Sequence, residues 1–212
     1  MTSLGRICVI DDDAGIRGSL GSLFRSAELD VALYESPEDF LAAGVPSIAS
    51  CLVLDIRLRE HNGLDFQQRL AEQGVHIPVI LITGHGDIPM TVRGMKAGAV
   101  DFLPKPFSDE QMLAAVEVAL DKDRTRRAAA ESTTQLRQFH ARLTPREREV
   151  MGLVVTGLMN KQVAARLELS EITVKIHRGN VMRKMEAQSL ADLVRMAELL
   201  GVRDDSIHRF NI

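Results

Sequence analysis

Five short apolar runs recur through the first half of the chain, each separated by a stretch with helical spacing. They are ICVI at 7–10, VALY at 31–34, CLVL at 51–54, VILIT at 79–83 and VDFL at 100–103. Runs this short suit strands buried on both faces rather than core helices. Between them, segments such as 15–27 and 89–97 carry apolar residues at helical intervals. Strand alternating with helix admits few architectures. The helices cover both faces of a sheet whose strands run parallel. Five such units predict an α/β, flavodoxin-like (βα)5 domain over residues 1–121. Sheets of this kind place their sites at the carboxyl ends of the strands.

The rest of the chain changes character. Ser108, followed by Asp109 and Glu110, opens a helix that runs through Met112, Leu113, Val116 and Leu120. The segment DKDRTRRAAAESTTQLRQFH at 121–140 is charged, rich in Ala and free of Gly and Pro. It predicts a helical linker over 122–142, with a mobile tether as the other reading. Thr144-Pro145-Arg146-Glu147 then forms a full helix start, with Thr as cap, Pro in first position and Glu reaching back. That helix stops near Gly157. A short helix follows at 160–167, a third capped by Ser170 runs to about Met185, and a fourth capped by Ser189 covers 190–200 before Gly201. Residues 143–212 are therefore expected to be all-α.

The net charge of −3 hides a division. Residues 1–121 hold 9 Lys and Arg against 18 Asp and Glu, a net −9, while residues 122–212 hold 17 against 11, a net +6. Opposite charge in two halves predicts two domains with different partners, and the basic half suits a polyanion such as DNA. Cys8 and Cys51 lie inside apolar runs and are expected to be reduced core residues. No zinc-type Cys/His spacing is present. No apolar run approaches the length of a membrane span, and MTSLGRICVIDDD reaches its acids too early for a signal peptide. The expected location is cytoplasmic, with no membrane partner.

The first half carries an acidic constellation. Asp11 and Asp12 follow the first strand, and Asp55 follows the third. In a five-stranded sheet of this order those strands are neighbours, so the three acids converge. Packed acids raise one another's pKa unless a cation is present, and hard oxygen ligands suit Mg²⁺ or Mn²⁺. Thr83 ends the fourth strand, and Lys105 follows the fifth. A hydroxyl and an ammonium at the same edge can each bind a phosphoryl oxygen. A carboxylate nucleophile, a metal, a donor and a positive charge are the requirements for an aspartyl phosphate.

IDDD, the aspartate of VLDIR, the threonine of LITGHGD and the lysine of FLPKPF resemble the receiver domains of two-component response regulators, over roughly residues 5–121. The resemblance implies phosphorylation of Asp55 by a sensor histidine kinase. It implies that Asp12, Asp55 and the backbone carbonyl of Arg57 bind the metal, with Asp11 contacting it through water. It implies that Phe102 is a switch aromatic, with packing alone as the alternative, and that Lys105-Pro106 is a cis peptide. Asp13 is expected to be solvated. The family often has Pro shortly after the phosphorylated residue. Here Arg59, Glu60, His61 and Asn62 precede Gly63 without one, so the loop's mobility or its kinase contact is expected to differ.

In the basic half, helix, short helix, turn and helix is the order of a helix-turn-helix. At about 100° per residue, Val174, Val181 and Met185 fall on one side of the third helix. Lys175, Ile176, Gly179, Asn180 and Arg183 fall mostly on the other, a face suited to phosphates and base edges. Ile176 is a candidate for a thymine methyl contact, and His177 for packing. From the residues alone, a helical bundle with a solvated basic face remains the alternative. The wording T-P-R-E-x-E-V, G-L-x-N-K-Q-V-A and T-V-K-x-H is similar to the LuxR/NarL/FixJ-type DNA-binding domain over about 141–201. The whole chain resembles the FixJ/StyR-like subfamily. That implies Lys175, Ile176 and Gly179 over bases, with Thr173, Arg178, Lys161 and Asn160 near phosphate or packing the motif. Promoter DNA, RNA polymerase and a homodimer formed on phosphorylation are the implied partners, and the implied output is transcriptional control, mostly activation.

The main rival function is a phosphohydrolase with an aspartyl nucleophile; a phosphorylation-independent DNA-binding protein whose receiver is a dimer module, and a receiver feeding an RNA-binding output, are the others. Enzymes of the haloacid-dehalogenase type need a second Asp two residues after the first, and Arg57 stands there. Turnover of an external substrate is therefore not expected.

Overall fold

A computed structural model describes residues 5–59, 61–84 and 88–202. Glu60 and the His85-Gly86-Asp87 part of the resemblance lie outside the described residues. The chain divides into two compact units, Met1–Arg127 and Ala128–Ile212.

The first unit is a five-stranded sheet in the order β2-β1-β3-β4-β5, with every pairing parallel. Its strands are β1 (Arg6–Ile10), β2 (Asp30–Tyr34), β3 (Ser50–Asp55), β4 (Val79–Thr83) and β5 (Asp101–Pro104). The helices between them are α1 (Ala14–Ser26), α2 (Pro37–Ala43), α3 (Gly63–Glu72) and α4 (Ile88–Lys96), and α5 (Asp109–Ala141) follows β5. Alternate strand residues enter two cores. Ile7, Val9, Cys51, Val53, Ile80 and Ile82 pack with Leu20 and Phe24 of α1 and Met112 and Val116 of α5. Cys8, Ile10, Leu52, Leu54 and Leu81 pack with Phe40 of α2 and Leu64, Phe66 and Leu70 of α3. Both cysteines are free and buried, and burial pushes the Cys8 thiol up to about 11. Gly94 lets α4 settle onto β4, because a Cβ there would overlap the side chain of Leu81.

The charged segment at 121–140 lies wholly within α5, a helix of 33 residues. It is not simply a solvated connector. Asp123 is fully buried and accepts the backbone N–H of Ser50, 73 residues away, at 2.9 Å. Arg126 and Arg127 each reach it at 2.6 Å, and Arg127 also donates to the carbonyls of Pro46 and Ser47. Burial alone would raise the Asp123 pKa, but hydrogen bonds from Arg127, Arg126 and Ser50 overcome it and hold the group below the usual carboxylate range. Asp123→Ala is expected to cost the first unit about 1.5 kcal/mol. Amide exchange should accelerate at Ser50, read by hydrogen-exchange mass spectrometry beside a urea unfolding curve. An unchanged midpoint would show the cluster to be ornamental.

The second unit packs α6 (Pro145–Val154), α7 (Asn160–Leu167), α8 (Glu171–Lys184) and α9 (Leu190–Leu200) around Val150, Val154, Val163, Val174, Val181, Met185 and Leu193. Leu136 and Phe139, near the end of α5, belong to this same core. The caps explain the helix boundaries. Thr144 and Glu147 form a reciprocal capping box on α6. Ser170 and Ser189 cap α8 and α9, and Gly201 closes α9 in the left-handed region.

Candidate functional site

Strand register brings the acids together. Ile10 lies opposite Leu54, so the residues one step further, Asp11 and Asp55, become neighbours at the carboxyl edge. Thr83 lies opposite Pro104, which places Lys105 one step beyond the threonine, and the Lys105 amide donates to the Thr83 carbonyl at 2.7 Å. The Lys105 ammonium bridges two carboxylates, at 2.8 Å from Asp11 Oδ2 and 2.7 Å from Asp55 Oδ2. Carboxylate oxygens of Asp11, Asp12 and Asp55 lie within 4.8 Å of one another. A set of hard, anionic oxygens at this spacing fits a divalent cation. Asp12 and Asp55 line a cleft of about 740 Å³ together with Arg57, Arg59, Gly84 and Lys105.

Electrostatics in the cleft are finely opposed. Asp11 is fully buried, and desolvation pushes its pKa above the ordinary range against the pull of Lys105 and of the Asp13 amide. For Lys105, burial favours the neutral form, but the hydrogen bonds to Asp11 and Asp55 prevail and its pKa rises. The ammonium is therefore held charged between two acids.

The other expected residues are placed as follows. Asp55 is nearly buried, and its Oδ1 accepts the Arg57 amide at 3.0 Å. Thr83 is fully buried. Phe102 is half-buried and packs against the core on the α3 side of the sheet. Lys105-Pro106 is cis. Asp12 is partly exposed and pairs with the exposed Arg59 at 3.3 Å. Gly63 is required where the loop returns, since a Cβ there would overlap the backbone of Asp55 and Ile56.

One expectation needs correction. Asp13 is exposed, but it is more than solvated. Its carboxylate accepts the amides of Gly15 and Ile16 at 2.7 and 3.1 Å and caps α1, and these bonds lower its pKa. Two further side chains escaped the sequence reading. Arg17 donates to the Asp11 carbonyl at 2.6 Å, and Arg59 is the partner of Asp12. The only sequence signal for Arg59 was the basic residue standing in a loop that lacks its usual Pro.

In the second unit, α8 turns Val174 and Val181 inward, both essentially buried. Lys175, Ile176, Gly179 and Arg183 are exposed, as is Lys161 on α7, while Thr173, Arg178 and Asn180 are half-buried. Arg178 donates to Asn160 at 3.2 Å and so ties α8 to α7. Asn180 accepts from Arg183 at 3.2 Å. His177 is half-buried, with its Nδ1 buried and without a hydrogen-bond partner among the described residues. Ile172, not singled out from sequence, is among the most exposed large apolar residues.

Comparison with known proteins accounts for both units. Residues 7–117 match the response regulator receiver domain, and residues 141–197 match the luxR family of bacterial regulatory proteins. The chain is 56% identical to Nodulation protein W of Bradyrhizobium diazoefficiens, across 92% of this chain and 86% of that one. It is 42% identical to the transcriptional regulatory protein FixJ of the same organism, across 97% and 100%. Among solved structures, response regulator StyR matches with a TM-score of 0.82 at 45% identity, covering 92% of this chain and 98% of that one. Full-length FixJ from B. japonicum matches with a TM-score of 0.58 at 39% identity, covering 96% and 100%. A cation-ready acid cluster beside a conjoined lysine, on a sheet of this order, and a capped helix-turn-helix in a separate unit are what that family would require, and the chain belongs to it: it is a response regulator with a receiver domain and a LuxR-type DNA-binding domain.

Proposed function

We propose that this response regulator accepts a phosphoryl group on Asp55 from a sensor histidine kinase and controls transcription from promoter DNA. The observation that supports this best is the Lys105 ammonium shared between Asp11 and Asp55. An Asp55 oxygen attacks phosphorus as the bond to the kinase histidine breaks. Thr83 and Lys105 then receive the phosphoryl oxygens, and Lys105 exchanges a carboxylate partner for a phosphoryl one. The residues that would hold Mg²⁺ or Mn²⁺ are Asp12, Asp55 and the Arg57 carbonyl, with Asp11 acting through water. Such an ion, when bound, supplies the charge that offsets the acids and the incoming group. Its other residues act by position: Thr83 and Phe102 shift toward the sheet edge, and the α4–β5 surface becomes a homodimer interface.

In this reading residues 1–121 are the receiver, 122–142 the helical linker and 143–212 the DNA-binding domain. The paired output domains occupy half-sites about one DNA turn, or a multiple of it, apart. Lys175, Ile176 and Gly179 lie over bases, and Lys161, Thr173, Arg178, Asn180 and Arg183 position the helix or meet phosphate. RNA polymerase is the partner of an activating output, and the protein works in the cytoplasm. No described helix is long and apolar enough to cross a membrane.

The test is DNA affinity with and without a small acyl phosphate and Mg²⁺, using a duplex selected from a random pool. Wild type should tighten at least tenfold, a shift of about 1.4 kcal/mol, and Asp55→Ala should not respond. An equal response in both would end this account.

A further inference from the structure

The outward face of α8 is apolar at its centre. Ile172 is 74% exposed and Ile176 59% exposed. Ile172 lies nine residues before Val181, which at about 100° per residue places the two on opposite sides of the helix. Val181 is 1% exposed and sits in the core. Ile172 therefore marks the middle of the face turned away from the domain. Ile176, Gly179 and Arg183 fall within about 40° of it, forming one stripe. Lys175 borders the stripe.

Scattered exposed apolar residues are ordinary on protein surfaces. These two are distinguished by their alignment, and by the glycine that continues their row. Gly179 costs a helix interior about 1 kcal/mol relative to Ala. Nothing lies within 4 Å of the position its Cβ would take, so no packing inside the domain calls for glycine there. Its φ is not in the left-handed region either. What the missing side chain does is keep the row low. A low row of Ile172, Ile176 and Gly179, bordered by Lys175 and ending at Arg183, in the half of the chain with net charge +6, fits the floor of a major groove with its phosphate walls on either side.

We infer that Ile172 is a specificity-determining residue: with Ile176 it reads the 5-methyl groups of two thymines, and Gly179 provides the clearance for that approach. The inference rests on the DNA-binding reading of α8 given above and adds the chemistry of recognition. Apolar contact is how a side chain distinguishes thymine by its methyl in the major groove. The first turns of a recognition helix are the part that meets base edges. Ile172 lies in the first turn of α8.

The test uses the full-length chain with acyl phosphate and Mg²⁺. A duplex is selected from a random-sequence pool, and each of its thymines is then replaced in turn by deoxyuridine, which removes one methyl. At two positions wild type should lose roughly three- to five-fold in affinity, the worth of one buried methyl. Ile172→Ala should abolish the penalty at one of them and Ile176→Ala at the other. Ile172 is exposed, so its replacement leaves the domain folded. If a duplex is selected but Ile172→Ala changes no deoxyuridine penalty, the inference is overturned while DNA binding stands. If no duplex is enriched at all, the DNA-binding reading falls together with the inference.

Discussion

Lys105→Ala is expected to lower the stability of the receiver by about 3 kcal/mol near pH 8, and by clearly less near pH 5. Its ammonium lies 2.8 Å from Asp11 and 2.7 Å from Asp55, and the three side chains are 19%, 0% and 8% exposed. Without the cation, two carboxylates face each other where water screens them poorly. The loss has a ceiling, because a buried acid can take up a proton instead. Asp11 is already held above the ordinary range by its burial, and losing Lys105 raises it further. A group whose pKa is raised on folding contributes fully below its unfolded value, about 3.9 for Asp, and that contribution is lost as pH rises through the folded value. The variant should therefore weaken as pH increases. Thermal unfolding at the two pH values reads the difference. Asp11→Asn placed in the Lys105→Ala background should restore most of the loss, because it deletes the charge left stranded, and Mg²⁺ should restore part of it in the single variant. Melting temperatures that match wild type at both pH values would refute the shared-ammonium picture.

Four residues of this site were legible in the sequence for a simple reason. Each stands at or just past the end of an apolar run, and parallel register carries strand ends to one edge. Asp11, Asp55, Thr83 and Lys105 needed nothing else to be placed. Asp123 was not legible. In a run such as DKDRTRR an acid with basic residues three and four positions later looks the same whether it faces water or protein. Only the Ser50 amide, far away in sequence, separates the two cases. Leu136 and Phe139 did carry a signal, since they and Leu143 space an apolar face through a polar stretch. Asp13 carried one as well, standing just before the first helical residue with two amides in reach. The exposure of Ile172 was within reach of the sequence but passed over: the helical period that turns Val181 inward puts Ile172, nine residues earlier, on the opposite side.

Glu147→Ala is expected to destabilise the second unit by about 3 kcal/mol, a large share of the roughly 5–15 kcal/mol that holds a small domain together. Two functions meet in this side chain. Its Oε2 accepts the Thr144 amide at 2.8 Å, closing the capping box of α6, and accepts the Lys184 ammonium at 2.6 Å, tying α6 to the last turn of α8. Glu147 is 3% exposed. Alanine leaves the Thr144 amide without this partner and Lys184 without its counter-ion. Glutamine keeps an acceptor for the amide and loses only the charge, so it should cost about half as much. Burial alone would raise the Glu147 pKa, but the bonds from Lys184 and Thr144 outweigh it and hold the carboxyl below its usual range. A group with a depressed folded pKa contributes above its unfolded value, about 4.3 for Glu, and the contribution is lost as pH falls through the folded value. Wild type should thus lose stability on acidification from about pH 5 downward, and Glu147→Gln should lose less over the same interval. Lys184→Met supplies the reciprocal measurement. It keeps the packed methylenes but withdraws the charge that depresses Glu147, so its acid response should shrink toward that of Glu147→Gln. Urea unfolding followed by helical circular dichroism at pH 7 and pH 4 reads all three. Parallel acid losses in wild type and both variants would mean that the α6–α8 ion pair does not hold α8 in place.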